Sequence, residues 1–120
     1  MDSNFHIDNE KIYEEVFNIL AELAVEPWDY LQVSGAILNK NLSEVMTIQG
    51  SSEGRIEDIP IGWKIFDIQD LVIHLRKMFL ESTGQRIWGF KFDFFKSGKF
   101  TAQFDYEKPI NFDEEDDFIN

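Results

Sequence analysis

The stretch RIWGFKFDFFKSGKFTAQFDY, residues 86–106, decides the fold. Trp88, Phe90, Phe92 and Phe94 alternate with Gly89, Lys91 and Asp93. After Lys96-Ser97-Gly98, the residues Phe100, Ala102, Phe104 and Tyr106 alternate with Thr101, Gln103 and Asp105. A period of two is the signature of a half-buried strand, and two such runs around a glycine-bearing break read as a hairpin. Two registers compete. A two-residue Ser97–Gly98 turn sets Phe94 opposite Thr101 and Phe90 opposite Asp105. A three-residue loop, with Gly98 left-handed in a bulge, pairs Phe94 with Phe100, Phe92 with Ala102, Phe90 with Phe104 and Trp88 with Tyr106. The second register gathers one continuous aromatic face, so it is expected. Lys91, Asp93, Thr101, Gln103 and Asp105 then face water.

An aromatic face of this size needs a cover. Upstream, Ile68, Leu71, Val72, Leu75, Met78 and Phe79 recur at helical spacing. A helix over 68–83 is predicted, with Asp67 as N-cap and Gly84 as the left-handed residue past its end. A first helix over 9–25 is predicted from Ile12, Tyr13, Val16, Phe17, Ile19, Leu20, Leu23 and Ala24, which fill one arc. Asp8 caps it, Pro27 ends it, and Glu14, Glu15, Asn18 and Glu22 form a solvated arc. Between the helices, Leu31, Val33 and Ile37 alternate, as do Leu42, Met46 and Ile48. A four-residue loop at 38–41 would set Ile37 against Leu42, Val33 against Met46 and Leu31 against Ile48. Residues 50–62 read as a loop with a short strand around 56–61. The expected class is α+β: an antiparallel sheet of four to five strands with two helices on one face, in the order α-β-β-(β)-α-β-β. Residues 1–8 read as a flexible lead, 9–110 as a single domain and 111–120 as an acidic tail. The expected core includes Val16, Leu20, Leu23, Val33, Leu71, Leu75, Phe90, Phe92 and Phe104.

Composition narrows the function. The 120 residues hold 11 Lys and Arg against 23 Asp and Glu, a formal net charge of −12. A nucleic-acid-binding surface needs clustered Lys and Arg, and an anionic membrane repels such a chain, so neither partner is expected. Basic partners are favoured. With 43% hydrophobic residues the chain has material for a core. It has no cysteine, which excludes disulfides, thiolate metal sites and a cysteine nucleophile. No stretch reads as a secretory signal or a membrane helix, so a cytoplasmic protein is expected.

Catalytic constellations are scarce. His74 lies one helical turn from Asp70 and reads as a boundary histidine bonded to it, with no Ser or Thr placed as a nucleophile. Gly84-x4-Gly89 lacks the Lys-Ser/Thr of a phosphate loop. The run Asp113-Glu114-Glu115-Asp116-Asp117 lacks the alternating ligands and glycine of a calcium loop. No cofactor, metal or catalytic residue is expected, and the chain is not expected to be an enzyme. What remains is a binding surface. Seven carboxylates against Lys108 put −6 of the net charge into residues 105–120. Candidate contact residues are Asp93, Asp105 and Glu107 on the hairpin, Asp113, Glu114, Glu115, Asp116 and Asp117 in the tail, and Trp63, Ile73 and Leu80 as apolar anchors.

Asp58-Ile59-Pro60 ahead of an amphipathic helix, then Trp88, the aromatic strand, Ser97-Gly98-Lys99-Phe100 and Phe104-Asp105-Tyr106-Glu107, stand in an order that is meaningful together. With Ile12-Tyr13 in the first helix, the chain resembles the YezG-like immunity proteins over roughly residues 10–108. The resemblance implies a bacterial antitoxin that neutralises a polymorphic or contact-dependent growth inhibition toxin, commonly a nuclease. It transfers no catalytic site and does not specify the toxin-contact residues. The expected function is therefore an immunity protein that binds a basic toxin domain and blocks its substrate cleft, with a monomer favoured over an oligomer. An acidic adaptor for a basic non-toxin partner and a small carboxylate-based enzyme are the alternatives.

Overall fold

The computed structural model describes the backbone of residues 2–39 and 42–108 and the side chains of residues 10–38 and 43–108. The element order is α1 (Asp2–Leu23), β1 (Tyr30–Asn39), β2 (Leu42–Gly50), β3 (Ile56–Asp58), a 3-10 turn (Gly62–Lys64), α2 (Ile65–Thr83), β4 (Gly89–Phe95) and β5 (Phe100–Asp105). The strands form one antiparallel sheet in the order β3-β2-β1-β4-β5. This is the α+β class expected.

The aromatic hairpin has the bulged register. Phe94 pairs with Phe100, Phe92 with Ala102 and Phe90 with Phe104. Gly98 sits at φ 98° and its N–H donates to the Phe95 carbonyl, while Phe95 N–H donates to Lys99 O. The ladder stops at Gly89–Asp105, so the expected Trp88–Tyr106 pair is not part of it. Trp88 N–H instead reaches the Asp105 carbonyl. Phe92 is fully buried and touches the rings of Tyr13, Phe90, Phe100 and Phe104.

Both helices cover this face and run antiparallel across the strands. Tyr13 and Phe17 of α1 pack on Phe92, Phe100 and Phe94. At the far end of α1, the Gln49 amide of β2 binds the backbone of Val25. Along α2, Gln69 Nε2 donates to the Ser43 carbonyl of β2, and Phe79 meets Phe104 of β5 edge-on at 5.0 Å. Val16, Leu20, Val33, Leu75, Phe90 and Phe92 are buried, and Leu23, Leu71 and Phe104 pack half-buried against them.

Three local expectations are corrected. First, α1 begins at Asp2, so Asp8 lies inside the helix rather than at its cap. Residues 2–8 contain neither Pro nor Gly, and a capping preference does not stop a helix that can continue. The helix also ends two residues before Val25, because the backbone ahead of Pro27 is kept out of the helical region. Second, α2 starts at Ile65, and its N-cap is Lys64 without a side-chain cap. Asp67 falls in the first turn instead, where its charge suits the helix dipole. Gly84 ends α2 at φ 75°, as expected.

The third correction is the β1–β2 register. Leu31 faces Gln49, Val33 faces Thr47 and Ile37 faces Ser43, one residue away from the all-apolar pairing. Because side chains alternate, that slip turns Met46 and Ile48 to the open face and Ser43, Thr47 and Gln49 inward. Met46 is 65% exposed, while Gln49 is only 3% exposed. Of these inward groups, Gln49 meets the backbone just past the end of α1. Gln49 Oε1 accepts from Val25 N–H at 2.8 Å and its Nε2 donates to Val25 O at 2.6 Å. Backbone groups left over at a helix terminus must find partners, and an apolar β2 could not supply them. The buried Ser43 hydroxyl has no hydrogen-bond partner among the described residues.

Candidate functional site

The two helices leave a cleft of about 510 Å³ along their seam. Glu15 and Asn18 line it from α1, and Asp67, Asp70 and His74 from α2, over a floor of half-buried Ile19 and Leu71. Helical geometry explains the set. Residues three and four apart share a face, which aligns Glu15 with Asn18 and Ile19, and Asp67 with Asp70, Leu71 and His74. Three carboxylates therefore converge on an apolar floor, and among the described residues no Lys or Arg lines the cleft. Lys64, at its rim, holds Asp67 Oδ2 at 3.6 Å. Both partners are largely exposed, so that pair contributes little to stability. A second hollow of about 450 Å³ extends the acidic surface along α1 through Glu10 and Glu14, tempered by Lys11.

On the other side of Asp70 and His74 a groove of about 550 Å³ runs along α2, lined also by Ile73, Arg76, Lys77, Leu80 and Glu81. Ile73 is half-buried and Leu80 is 39% exposed, two turns apart on this groove. Trp63 does not join them. It stands 85% exposed on the 3-10 turn, stacked on Phe66 at 5.9 Å. Fifteen helical residues separate Ile65 from Leu80, about 22 Å of axis. The three apolar anchors thus form two separate features.

The hairpin acids lie on the other side of the molecule. Asp93 is half-buried on the open sheet face, where Gln32 Nε2 donates to it at 2.8 Å and Thr101 Oγ1 at 3.2 Å. A carboxylate already holding two donors has less to offer a partner. Asp105 and Glu107 are exposed, and Asp105 Oδ1 accepts the Glu107 N–H at 2.9 Å, closing the strand end. Lys91 stands on the same face of β4 as Asp93, between the two aspartates. Asp113, Glu114, Glu115, Asp116 and Asp117 lie outside the described residues.

His74 is exposed, and among the described residues no hydrogen bond joins it to Asp70, so the expected pairing is corrected. Tyr13 and Glu26 have displaced titration. Burial pushes the Tyr13 phenol up to about 12, with Tyr106 adding to it. The Lys96 ammonium bonded to Glu26 holds that carboxyl below its ordinary value. Lys96 also lies 4.4 Å over the Trp28 ring, tying the hairpin loop to the chain between α1 and β1.

The interhelical cleft was the feature that residue-by-residue reading missed. Glu15 belongs to an arc read as solvated, Asp67 to a helix cap and Asp70 to the expected pair with His74. Only the shared wheel position of each set was visible beforehand; their meeting depends on how the helices pack. Among the described residues no helix is long and apolar enough to cross a membrane. No protein-family model matches the chain, and no curated protein matches it by sequence.

Proposed function

We propose that the protein is an immunity protein that binds a basic toxin domain, a nuclease, and covers its substrate cleft. The observation that carries this reading is the seam between α1 and α2, where Glu15, Asp67 and Asp70 meet over Ile19 and Leu71. Such a surface takes a Lys or Arg head at the carboxylates and its methylene stem, or a neighbouring apolar side chain, on the floor. The chain's charge of −12 favours encounter with a cationic domain. Binding is favoured over nucleophilic chemistry because, among the described residues, no hydroxyl or thiol lines the cleft. The resemblance of its motif order to that of YezG-like immunity proteins supports the same reading.

The test is co-expression with the C-terminal domain encoded by the adjacent upstream gene, scored for growth rescue and co-purification. The variant Glu15→Gln/Asp67→Asn/Asp70→Asn should keep its fold and slow association at low salt by about 10-fold or more. A wild-type chain that neither rescues growth nor co-purifies would refute the reading. So would a triple variant that associates at the wild-type rate.

A further inference from the structure

We propose that β5 is a dimerisation edge: it pairs antiparallel with β5 of a second copy of this chain, joining two five-stranded sheets into one. β5 is the last strand of the sheet, so among the described residues no strand lies on its outer side. Lys99 O and Asp105 O both accept from β4-side donors, Phe95 N–H and Trp88 N–H. Alternation along an antiparallel ladder then points the N–H and C=O groups of Phe100, Ala102 and Phe104 outward. Natural sheets blunt such an edge with proline, charge or a covering segment. Here the side chains facing the helix layer along this edge are Phe100, Ala102, Phe104 and Tyr106. Phe100 is 38% and Tyr106 47% exposed, because the helices reach only as far as Tyr13 on Phe100 and Phe79 on Phe104.

The sequence of the edge is self-complementary in one register. Centring a two-fold axis on Ala102 sets Phe100 against Phe104 of the second copy, on the helix side. On the open side it sets Thr101 against Gln103 and Lys99 against Asp105. The outward backbone groups of Phe100, Ala102 and Phe104 are the ones that meet in this register. Each cross-strand pair occurs twice by symmetry, as an isologous interface requires. The Lys99–Asp105 contacts place opposite charges directly across the junction, which matters between two chains of net charge −12. Neither Lys99 nor Asp105 makes an ion pair within the described residues of one chain. One strand pair buries less than the roughly 1,600 Å² of a standard interface, so a micromolar, concentration-dependent dimer is expected. This inference does not rest on the proposed inhibitory role.

Sedimentation equilibrium of the full chain, from about 5 to about 500 µM, reads the association directly. The mass should rise from 14.1 kDa towards about 28 kDa. Lys99→Glu or Asp105→Lys alone places like charges across both junctions and should weaken the dimer about tenfold. Combining the two restores opposite charges and should restore the affinity, a rescue that a loss of folding would not produce. Ala102→Pro removes an outward N–H that β4 does not use, and should abolish the dimer while near-ultraviolet dichroism stays native. A chain that remains at 14.1 kDa throughout overturns the proposal. A dimer whose affinity the double charge swap fails to restore overturns it equally. Should Ala102→Pro not fold, the charge swaps decide alone.

Discussion

Replacing Gln49 by Met tests the inward-facing polar strand at the point where it touches the helix layer. Gln49 is 3% exposed and holds the backbone of Val25 through two hydrogen bonds, at 2.8 and 2.6 Å. Methionine keeps the length and the apolar contacts but removes both partners. A net hydrogen bond is worth about 1 kcal/mol, and stranded backbone groups add to the loss. Val25 is 55% exposed, so water repairs part of it. The expected cost is therefore about 2 kcal/mol, or roughly 8 °C in Tm for a chain of this size. The control is Met46→Gln. Met46 is 65% exposed on the open face, so this change should stay within about 0.5 kcal/mol. Urea unfolding with unchanged m-values gives both numbers. A register shifted by one residue reverses the order, since Met46 would then face Val33 in the core. If Met46→Gln destabilises more than Gln49→Met, the register and the explanation built on it are wrong.

Gly98→Val should cost about 1–2 kcal/mol from backbone strain alone, because φ is 98° and no heavy atom lies within 4 Å of an added Cβ. A thermal melt matching wild type would refute the bulged-loop argument. Phe92→Ala should cost about 3–5 kcal/mol, since Phe92 is fully buried against Tyr13, Phe90, Phe100 and Phe104; denaturant titration measures it. Tyr13 should titrate near pH 12, and phenolate absorbance would show it ionising well after a free tyrosine. Because the folded chain holds that proton more tightly than the unfolded one, Tyr13's contribution is complete below pH 10, and is lost between 10 and about 12. A stability profile flat over that window would contradict the burial. Deleting residues 111–120, or changing Asp93→Asn/Asp105→Asn, should slow association with a basic toxin domain less than the triple change in the interhelical cleft does. Equal or greater slowing would move the contact to the tail or the hairpin.

The hairpin over residues 86–106 was readable because its information is local. Period two, a glycine and one aromatic face leave only one register that gathers the aromatics on one side, and Gly98 adopts the conformation that register needs. The helical stripes were readable for the same reason. Their ends were not: α1 runs on past Asp8 to Asp2, and α2 starts three residues early at Ile65. Capping residues state a preference that neighbouring helical turns override. The β1–β2 register failed for a longer-range reason. Apolar matching favoured Met46 inward, but the backbone waiting inside was that of Val25, just past α1, and Gln49 meets it.

By itself, the sequence determined the class of fold, the aromatic face and the strong negative charge, because composition and periodicity act within a few residues. Only the tertiary structure decided which acids act together. Glu15 and Asp70 are 55 positions apart in sequence, and the antiparallel packing of α1 on α2 sets them around one cleft. It also separated residues that sequence reading had grouped: Trp63 from Leu80, and Asp93 from the rest of the acidic surface. A carboxylate's availability depends on the donors folding brings to it. Asp93 meets Gln32 and Thr101 across two strands, and no local pattern encodes that encounter.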